Sequence, residues 1–310
     1  MIRKFAALLA LCLAFLPAAA FAEKRVALTF DDIPRQAGAF LTPDERTERL
    51  IAALKDAGVE QAAFFITPGR LETEDGAHGE AHIAAYVAAG HVLANHSFSH
   101  RHLSKSEAAD YLADIDRAQD WLKGRAGYRP WFRFPYLDEG ARDLAKRDAV
   151  RAGLAARGLT NGYVTADGSD WHLEALTVEA KKAGKAMDEK QLRRLYVASQ
   201  MSGLEYHDQL ARDALGRSPA HVLLLHETDL AALYLPDLVA EMRKHGWTII
   251  TADEAYRDPI SAEQPDVPYA SGTLIGSMAW QRDVPPPLYP TWMSTAMMSH
   301  LFETRVLKPE

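Results

Sequence analysis

Polar side chains that can bind metals or transfer protons follow short apolar runs at five places in this sequence. Two neighbouring aspartates follow the first run, and two histidines spaced four residues apart follow the third. An arginine, a second pair of aspartates and a further histidine follow later runs. The five segments are Asp31-Asp32, residues 96–100, residues 133–136, residues 167–171 and His226-Glu227. These residue types fit hydrolysis assisted by a metal ion and by acid–base groups.

Two of the segments carry the clearest spacing. His96 and His100 are four residues apart, and one helical turn would put both imidazoles on the same side, which suits a metal ion. No Glu follows His96, so this is not the metalloprotease helix, and a general base must come from elsewhere. Asp31 and Asp32 project in different directions from an extended chain. One can therefore bind a metal while the other takes a proton from water.

Each segment also has a plain structural interpretation. Aspartates are common in turns, so Asp31-Asp32 alone fits a turn. His226 fits a buried core histidine, Arg133 an ordinary surface residue, and Asp170 a helix cap. The functional interpretation depends on all five segments meeting at one place in the fold.

Alternation of apolar runs with amphipathic stretches predicts parallel βαβ units from residue 25 onward. Predicted strands cover 25–30, 62–66, 91–95, 131–134, 159–164, 221–225 and 247–250, and predicted helices cover 43–58, 79–89, 104–124, 139–157, 174–215 and 236–245. Capping boxes begin at Thr42 and at Ser104. No nucleotide-binding glycine motif follows a strand, which favours an α/β fold with a distorted, TIM-barrel-like seven-stranded barrel as a single catalytic domain. The carboxyl ends of its strands would bring the five segments to one rim.

The two ends of the chain differ from this core. Arg3, Lys4 and the apolar residues 5–16, followed by small residues up to Ala22, predict a signal peptide at 1–22 and an exported, periplasmic or secreted protein. A permanent membrane anchor is the alternative. Half of the 16 prolines lie between Pro259 and Pro309, so residues 258–310 are expected to form a proline-rich extension that is irregular or partly disordered.

Composition narrows the classes of protein that remain. The 310 residues are 48% hydrophobic and 25% charged, with one Cys, inside the expected signal peptide, and a formal charge of −7. These values exclude wholesale disorder and a disulfide scaffold. Mild acidity also argues against a nucleic-acid partner. Without the signal peptide, no stable membrane insertion is expected.

Together the five segments resemble the motifs of the polysaccharide deacetylases, the NodB-homology domains of carbohydrate esterase family four. The resemblance covers residues 25–256, defines a domain at 23–257, and keeps the family's motif order. Two positions depart from the family pattern, where Ile33 and Leu137 replace the usual glycines. Substrate contacts made by these two loops are therefore expected to differ.

The resemblance implies a role for each metal-binding and proton-accepting residue. Asp32, His96 and His100 would bind a divalent metal, Zn²⁺ in the first place and Co²⁺ or Ni²⁺ as alternatives. Asp31 would act as the general base, oriented by an ion pair with Arg133.

The resemblance also implies the groups around the substrate. His226 would be the general acid, with Asp167 holding its imidazolium, and the backbone N–H of Tyr136 would stabilise the oxyanion. Trp171 and Leu224 would shape a pocket for the acetyl methyl group.

An acetylated carbohydrate is the expected partner, with N-acetylated amino-sugar polymers such as peptidoglycan, chitin-like chains or an exopolysaccharide as substrates and acetate as product. Two other functions stay open on this scaffold. One is hydrolysis of a cyclic imide or ureide, and the other is glycan binding without catalysis. The sequence leaves the oligomeric state undetermined.

Overall fold

A computed structural model describes residues 23–290 and 294–308. The expected signal peptide at 1–22 lies outside the described residues. The strands are β1 Lys24–Ile33, β2 Ala63–Ile66, β3 Val92–Asn95, β4 Tyr128–Phe132, β5 Asp138–Ala141, β6 Thr160–Asn161, β7 Ala166–Asp167, β8 Ala220–His226, β9 Trp247–Ile249 and β10 Ala270–Ser271. The helices are α1 Pro43–Asp56, α2 Gly79–Ala88, α3 Ala108–Leu122, α4 Leu144–Ala156, α5 Asp170–Lys182, α6 Glu189–Leu215, α7 Asp229–Lys244, α8 Ala252–Ala255, α9 Leu274–Gln281 and α10 Thr295–Leu301.

A parallel sheet forms the centre of the fold. Its strand order is β6-β4-β3-β2-β1-β8-β7, and β9 pairs with the start of β1. The sheet curls into the distorted barrel that the sequence predicts, and helices cover its outside. The predicted strand at 159–164 is split in two. Gly162 N donates to Phe132 O, and Thr165 N donates to Val222 O, because the chain crosses here from one end of the sheet to the other.

Alternation along β1 separates two cores. Val26, Leu28 and Phe30 pack outward with residues of α1 and α7. Ala27 faces the barrel interior with residues of the other strands. Because side chains alternate along a strand, Thr29 and Asp31 follow Ala27 on the inner face. The strand period therefore directs Asp31 into the mouth of the barrel.

Several helix boundaries follow from capping contacts. The capping box of Thr42 and Glu45 is confirmed at the start of α1. The box predicted at Ser104 is wrong, because Ser104 donates both its N–H and its hydroxyl to Asp138, at 3.0 and 2.6 Å, and α3 begins at Ala108 without a side-chain cap. Helix α7 begins at Asp229 rather than at Pro236, because the hydroxyl of Thr228 accepts from Ala231 N.

Two other predicted helices are also changed. The helix predicted from residue 139 begins at Leu144, because β5 precedes it and pairs with β10. The long region predicted at 174–215 consists of α5 and α6. Helix α6 approaches the backbone of Asp167 so closely that a Cβ on Gly203 would lie 2.2 Å from its carbonyl oxygen. This close approach places α6 directly behind the rim.

The C-terminal segment is more regular than the sequence predicts. It contains β10, α9 and α10. Met298, Phe302 and Val306 join the outer core, while Ile275 and Met278 join the inner one. Burial of these apolar side chains stabilises the segment despite its prolines.

Candidate active site

A bulge at the end of β1 lets two consecutive aspartates serve the same site. In a regular strand they would face opposite sides of the sheet. Here the register with β2 shifts between Phe30 and Ile33, and Asp32 has a φ of 75°. Such a conformation is uncommon outside glycine and is concentrated at functional sites. The bulge turns Asp32 toward the rim beside Asp31.

Arg133 and Asp31 form a buried ion pair. The Arg133 Nη1 atom lies 2.5 Å from Asp31 Oδ1, and both side chains are almost fully buried. The same guanidinium donates to Gly162 O, Thr29 Oγ1 and Tyr256 OH at 2.7, 2.9 and 2.8 Å. Charge-assisted hydrogen bonds of this kind stabilise the contact and also restrict its geometry. Arg133 is therefore a buried orienting group and not a surface residue.

The predicted metal ligands come together. One nitrogen or oxygen atom from each of Asp32, His96 and His100 lies within 4.8 Å of the others. His100 Nε2 is 2.9 Å from Asp32 Oδ1, and His96 Nε2 is 3.9 Å from it. The four-residue spacing had predicted that the two histidines share a helical turn, and they do not. Instead Ser97 and His100 adopt positive φ values of 62° and 54°, and this loop turns both rings inward.

Local contacts hold that loop in place. Asp114 of α3 accepts from Ser99 N and from the Ser99 hydroxyl at 2.9 and 2.7 Å. Ser97 Oγ accepts from His100 N at 3.0 Å. The bonds to the buried Asp114 carboxylate hold this loop in place, and the loop sets the distance between the two imidazoles without a helix.

The chemistry of this donor set fits a divalent cation. His96 Nδ1 lies 2.9 Å from Arg133 O, and because a carbonyl only accepts, the proton of the neutral ring sits on Nδ1. Its Nε2 lone pair then faces the Asp31 and Asp32 oxygens at 3.5 and 3.9 Å. Asp32 Oδ1 is buried without an aligned hydrogen bond among the described residues. Acceptor atoms facing one another in this way are stabilised by a cation among them.

The ionisation states agree with that assignment. Burial lowers the pKa of His96 to about 4, so the ring is neutral at neutral pH. Burial alone would raise the pKa of Asp32, but the contact with His100 and the nearby guanidinium groups outweigh it and hold that pKa well below its usual range. The neutral His96 imidazole, the His100 imidazole and one carboxylate form a donor set typical of zinc.

His226 has a different partner from the one predicted. Its Nδ1 lies 2.7 Å from Asp170 Oδ1, and its backbone N–H donates to Asp170 Oδ2 at 2.7 Å. Asp167 instead accepts from Ser169 N at 2.7 Å. This turn lets α5 begin at Asp170 and directs the buried Asp170 carboxylate at the end of β8. The prediction that Asp167 holds the imidazolium is wrong, and Asp170 holds it.

The pKa values of this group are displaced as well. Burial opposes protonation of His226, yet the charge and hydrogen bond of Asp170 outweigh it and raise the pKa of His226. Burial raises the pKa of Asp167 to about 6. A histidine whose pKa is raised keeps its proton to higher pH than a free imidazole, which suits it to donate a proton.

The three predicted substrate-binding residues lie at different depths. Tyr136, with a φ of 59°, stacks its exposed ring on His102 at 3.7 Å between centroids and meets the His100 ring edge-on at 4.6 Å. Trp171 is 41% exposed at the start of α5. Leu224 is buried in the inner core, beside Asp167 in the strand register.

Two arginines at the site were missed by the sequence predictions. Arg35 Nη1 lies 2.8 Å from Asp32 Oδ2, and Arg70 Nη2 lies 3.1 Å from Asp32 Oδ1. Arg70 follows β2. Among the first four predicted strands, the predicted site residues come from the ends of the first, third and fourth, and none comes from the end of the second. Arg46 fixes the other loop by donating to the Arg35 and Gln36 carbonyl oxygens. The guanidinium groups of Arg35 and Arg70 add positive charge beside the Asp32 carboxylate.

Comparison with known proteins adds to this geometry. The model of the polysaccharide deacetylase family matches residues 18–156, a stretch that includes the aspartate pair, both rim histidines and Arg133. This stretch of the chain is similar to the polysaccharide deacetylase family. Asp170 and His226 lie beyond the matched residues, so their place in the site rests on the structure.

One curated relative and two solved structures illustrate the likeness to this family. The peptidoglycan-N-acetylglucosamine deacetylase of Bacillus cereus is 34% identical over 116 residues, which cover 37% of this chain and 37% of that protein. The chitin deacetylase of the fungal pathogen Colletotrichum lindemuthianum superposes with a TM-score of 0.52 at 18% identity, covering 76% of this chain and 88% of that one.

A mutant of a CE4 family pseudoenzyme with restored enzymatic activity gives a TM-score of 0.50 at 19% identity, covering 75% of this chain and 67% of that one. At these identities the structural likeness shows a shared fold. No helix among residues 23–290 and 294–308 is long and apolar enough to cross a membrane.

Proposed function

We propose that this protein is a polysaccharide deacetylase, a metal-dependent hydrolase that removes acetyl groups from N-acetylated amino-sugar polymers and releases acetate. The observation that carries the proposal is the meeting of three units on one rim. These units are the Asp31–Arg133 ion pair, the cluster of Asp32 with two histidines, and the His226–Asp170 pair. They supply a base, a metal site and an acid.

Asp32, His96 and His100 would hold the metal, which we propose to be Zn²⁺, with Co²⁺ or Ni²⁺ as alternatives. A bound divalent ion would supply Lewis acidity, which polarises the acetyl carbonyl and makes a water nucleophilic at neutral pH. Three protein ligands leave room for substrate and water, as a catalytic zinc site requires.

The protein's own groups would then move the protons. Asp31, held by Arg133, takes a proton from the attacking water. The backbone N–H of Tyr136 stabilises negative charge on the carbonyl oxygen. His226 gives a proton to the departing sugar nitrogen while Asp170 stabilises its imidazolium. The carbon–nitrogen bond breaks, and the products are acetate and a free amine.

Substrate contacts would extend from the rim into a neighbouring groove. A cavity of about 890 Å³ runs from Asp167 and Ser169 along the C-terminal segment, where Trp280 and Tyr289 are exposed. Aromatic faces pack well against the apolar faces of sugar rings. We infer that this groove binds the sugars next to the acetylated one, while Trp171 and Leu224 shape the acetyl pocket. We also propose export to the cell envelope, where such polymers lie.

The decisive experiment measures acetate release from a panel of acetylated glycans, with and without a chelator, alongside the metal content of the same sample. Chelator-sensitive release from an N-acetylated glycan supports the proposal. Release of product only from a cyclic imide or ureide would replace it with the other hydrolase, and glycan binding without any release would leave a binding protein.

The groove has its own test. Trp280→Ala should raise KM for a polymeric substrate at least severalfold while kcat for a short acetylated oligosaccharide stays unchanged. Trp121→Ala is a matched control, because this half-buried tryptophan lies on α3 and stacks with Arg125 away from the groove. An unchanged KM for the polymer would remove the groove from the proposal.

A further inference from the structure

A second cluster of metal-binding side chains lies on the outer surface between α1 and α2. Asp44 is in the first turn of α1, His78 immediately precedes α2, and His82 lies in α2. One ligand atom from each of the three lies within 4.8 Å of the others. His82 Nε2 is 2.6 Å from Asp44 Oδ1, and His78 Nδ1 is 3.2 Å from both Asp44 oxygens.

The arrangement of the two rings points to a shared ligand. His78 and His82 have the same four-residue spacing as the rim histidines, and here a helix provides it. Their rings lie at 78° to each other with centroids 6.4 Å apart, so they converge on the carboxylate and do not stack. Two imidazoles and one carboxylate form a donor set that borderline-soft divalent ions prefer.

Burial distinguishes this cluster from loose surface pairs. The His82 side chain is only 10% exposed, whereas His78 is 70% exposed. One ligand is therefore fixed by packing and the open side leaves room for water ligands. Hydrogen bonding alone would also hold His82 against Asp44, but His78 meets both carboxylate oxygens at 3.2 Å, at the long end of the hydrogen-bond range.

The cluster joins the two chain segments that flank the catalytic rim. Helix α1 follows the loop that carries Arg35, and α2 follows the segment that carries Arg70. Gly79, the first residue of α2, packs against both, since a Cβ there would lie 2.6 Å from Pro34 and 2.7 Å from Leu71. An ion held across the two helix starts would limit the motion of both segments.

We propose that Asp44, His78 and His82 form a second divalent-metal site, of zinc type, that ties the segments 34–42 and 67–78 together beside the catalytic rim. This site is independent of the proposed catalytic metal. It requires no change in the reaction, and zinc binding tests the site separately from catalytic activity.

The test counts zinc ions on the full chain by mass spectrometry and by titration calorimetry with zinc alone. The wild type should bind two ions, and His96→Ala should keep one. Adding His78→Ala to that variant should weaken the remaining binding at least tenfold, the lower end of the loss seen when groups around a site are removed. Since His78 is exposed, this substitution leaves the packing of α2 intact.

His245→Ala is the matched control, because this exposed histidine pairs with a carboxylate four residues away, Glu241, but belongs to no cluster of three potential metal ligands among the described residues. It should leave the zinc count unchanged. Binding by the His96→Ala variant that is insensitive to His78→Ala would overturn the site, as would no binding at all.

Hydrogen exchange tests the tie between the segments. Zinc added to the His96→Ala protein should slow amide exchange in residues 34–42 and 67–78, and His78→Ala should abolish that slowing. Zinc binding at Asp44 without any change in exchange would show that the ion does not restrain the rim.

Discussion

The contact between Asp170 and His226 predicts how activity depends on pH. Asp170 is fully buried, and its two oxygens lie 2.7 Å from the Nδ1 and the backbone nitrogen of His226. Its charge is the main influence that raises the pKa of His226 against the cost of burial. Asp170→Asn removes that charge and leaves the burial in place, so the pKa of His226 should fall.

The size of the shift follows from the geometry. An opposite charge this close moves a pKa by about 1–3 units. His226 must be protonated to act as the acid. Its protonated form dominates below its pKa and is lost as pH rises through that pKa. The alkaline limb of kcat/KM should therefore move about 1–3 units lower in Asp170→Asn, with about a 10-fold to 1,000-fold loss of rate on the alkaline side.

The assay is acetate release between pH 5 and pH 9.5 in the wild type, Asp170→Asn and the control Asp167→Asn. The control also neutralises a carboxylate in the same turn, the half-buried Asp167, which accepts a hydrogen bond from Ser169 N and not from the imidazole. Thermal unfolding of each variant confirms that it is folded. An alkaline limb that stays in place in Asp170→Asn, or that moves equally in Asp167→Asn, would refute the assignment of His226 as an acid held by Asp170.

Three further outcomes are expected. Asp31→Asn should keep its metal and lose about 10²–10⁴-fold in kcat, whereas His96→Ala should lose the metal from the rim; metal analysis and acetate release separate the two. Arg133→Met leaves the Asp31 carboxylate buried and unpaired, so urea unfolding should show a loss of about 3–5 kcal/mol, part of which Asp31→Asn in the same chain should restore. Thr228→Ala removes the cap of α7 and should cost about 1 kcal/mol in the same measurement, while Thr228→Ser should cost much less.

Much of the rim was predictable because strand ends obey simple rules. In a parallel sheet the carboxyl ends meet on one side, so identifying the apolar runs was enough to bring Asp31, His96, Arg133 and His226 together. The two-residue period of β1 also predicts which of the two aspartates faces the barrel interior. These features depend on local pattern and on the handedness of βαβ units, both of which are carried by short stretches of sequence.

Choices between neighbouring polar residues were less predictable. Asp167 and Asp170 are three residues apart and equally able to pair with His226, and only the turn at Ser169 decides between them. Ser104 looks like a helix cap, yet a long-range bond to Asp138 engages it instead. In each case two partners compete for one polar group, and the winner depends on distances that arise only after the chain has folded.

Periodicity and strand direction are local properties, so the amino-acid pattern alone predicts the barrel, the rim and the chemical types gathered there. Three features depend on the folded chain: the pairing of Asp170 with His226, the approach of Arg35 and Arg70 to Asp32, and the packing of the proline-rich end as β10, α9 and α10. Folding also brings Asp44 of α1 against His82 of α2 and against His78, which immediately precedes α2. These outcomes depend on contacts between residues far apart in the chain, whose formation is governed by packing of the whole core rather than by any local pattern.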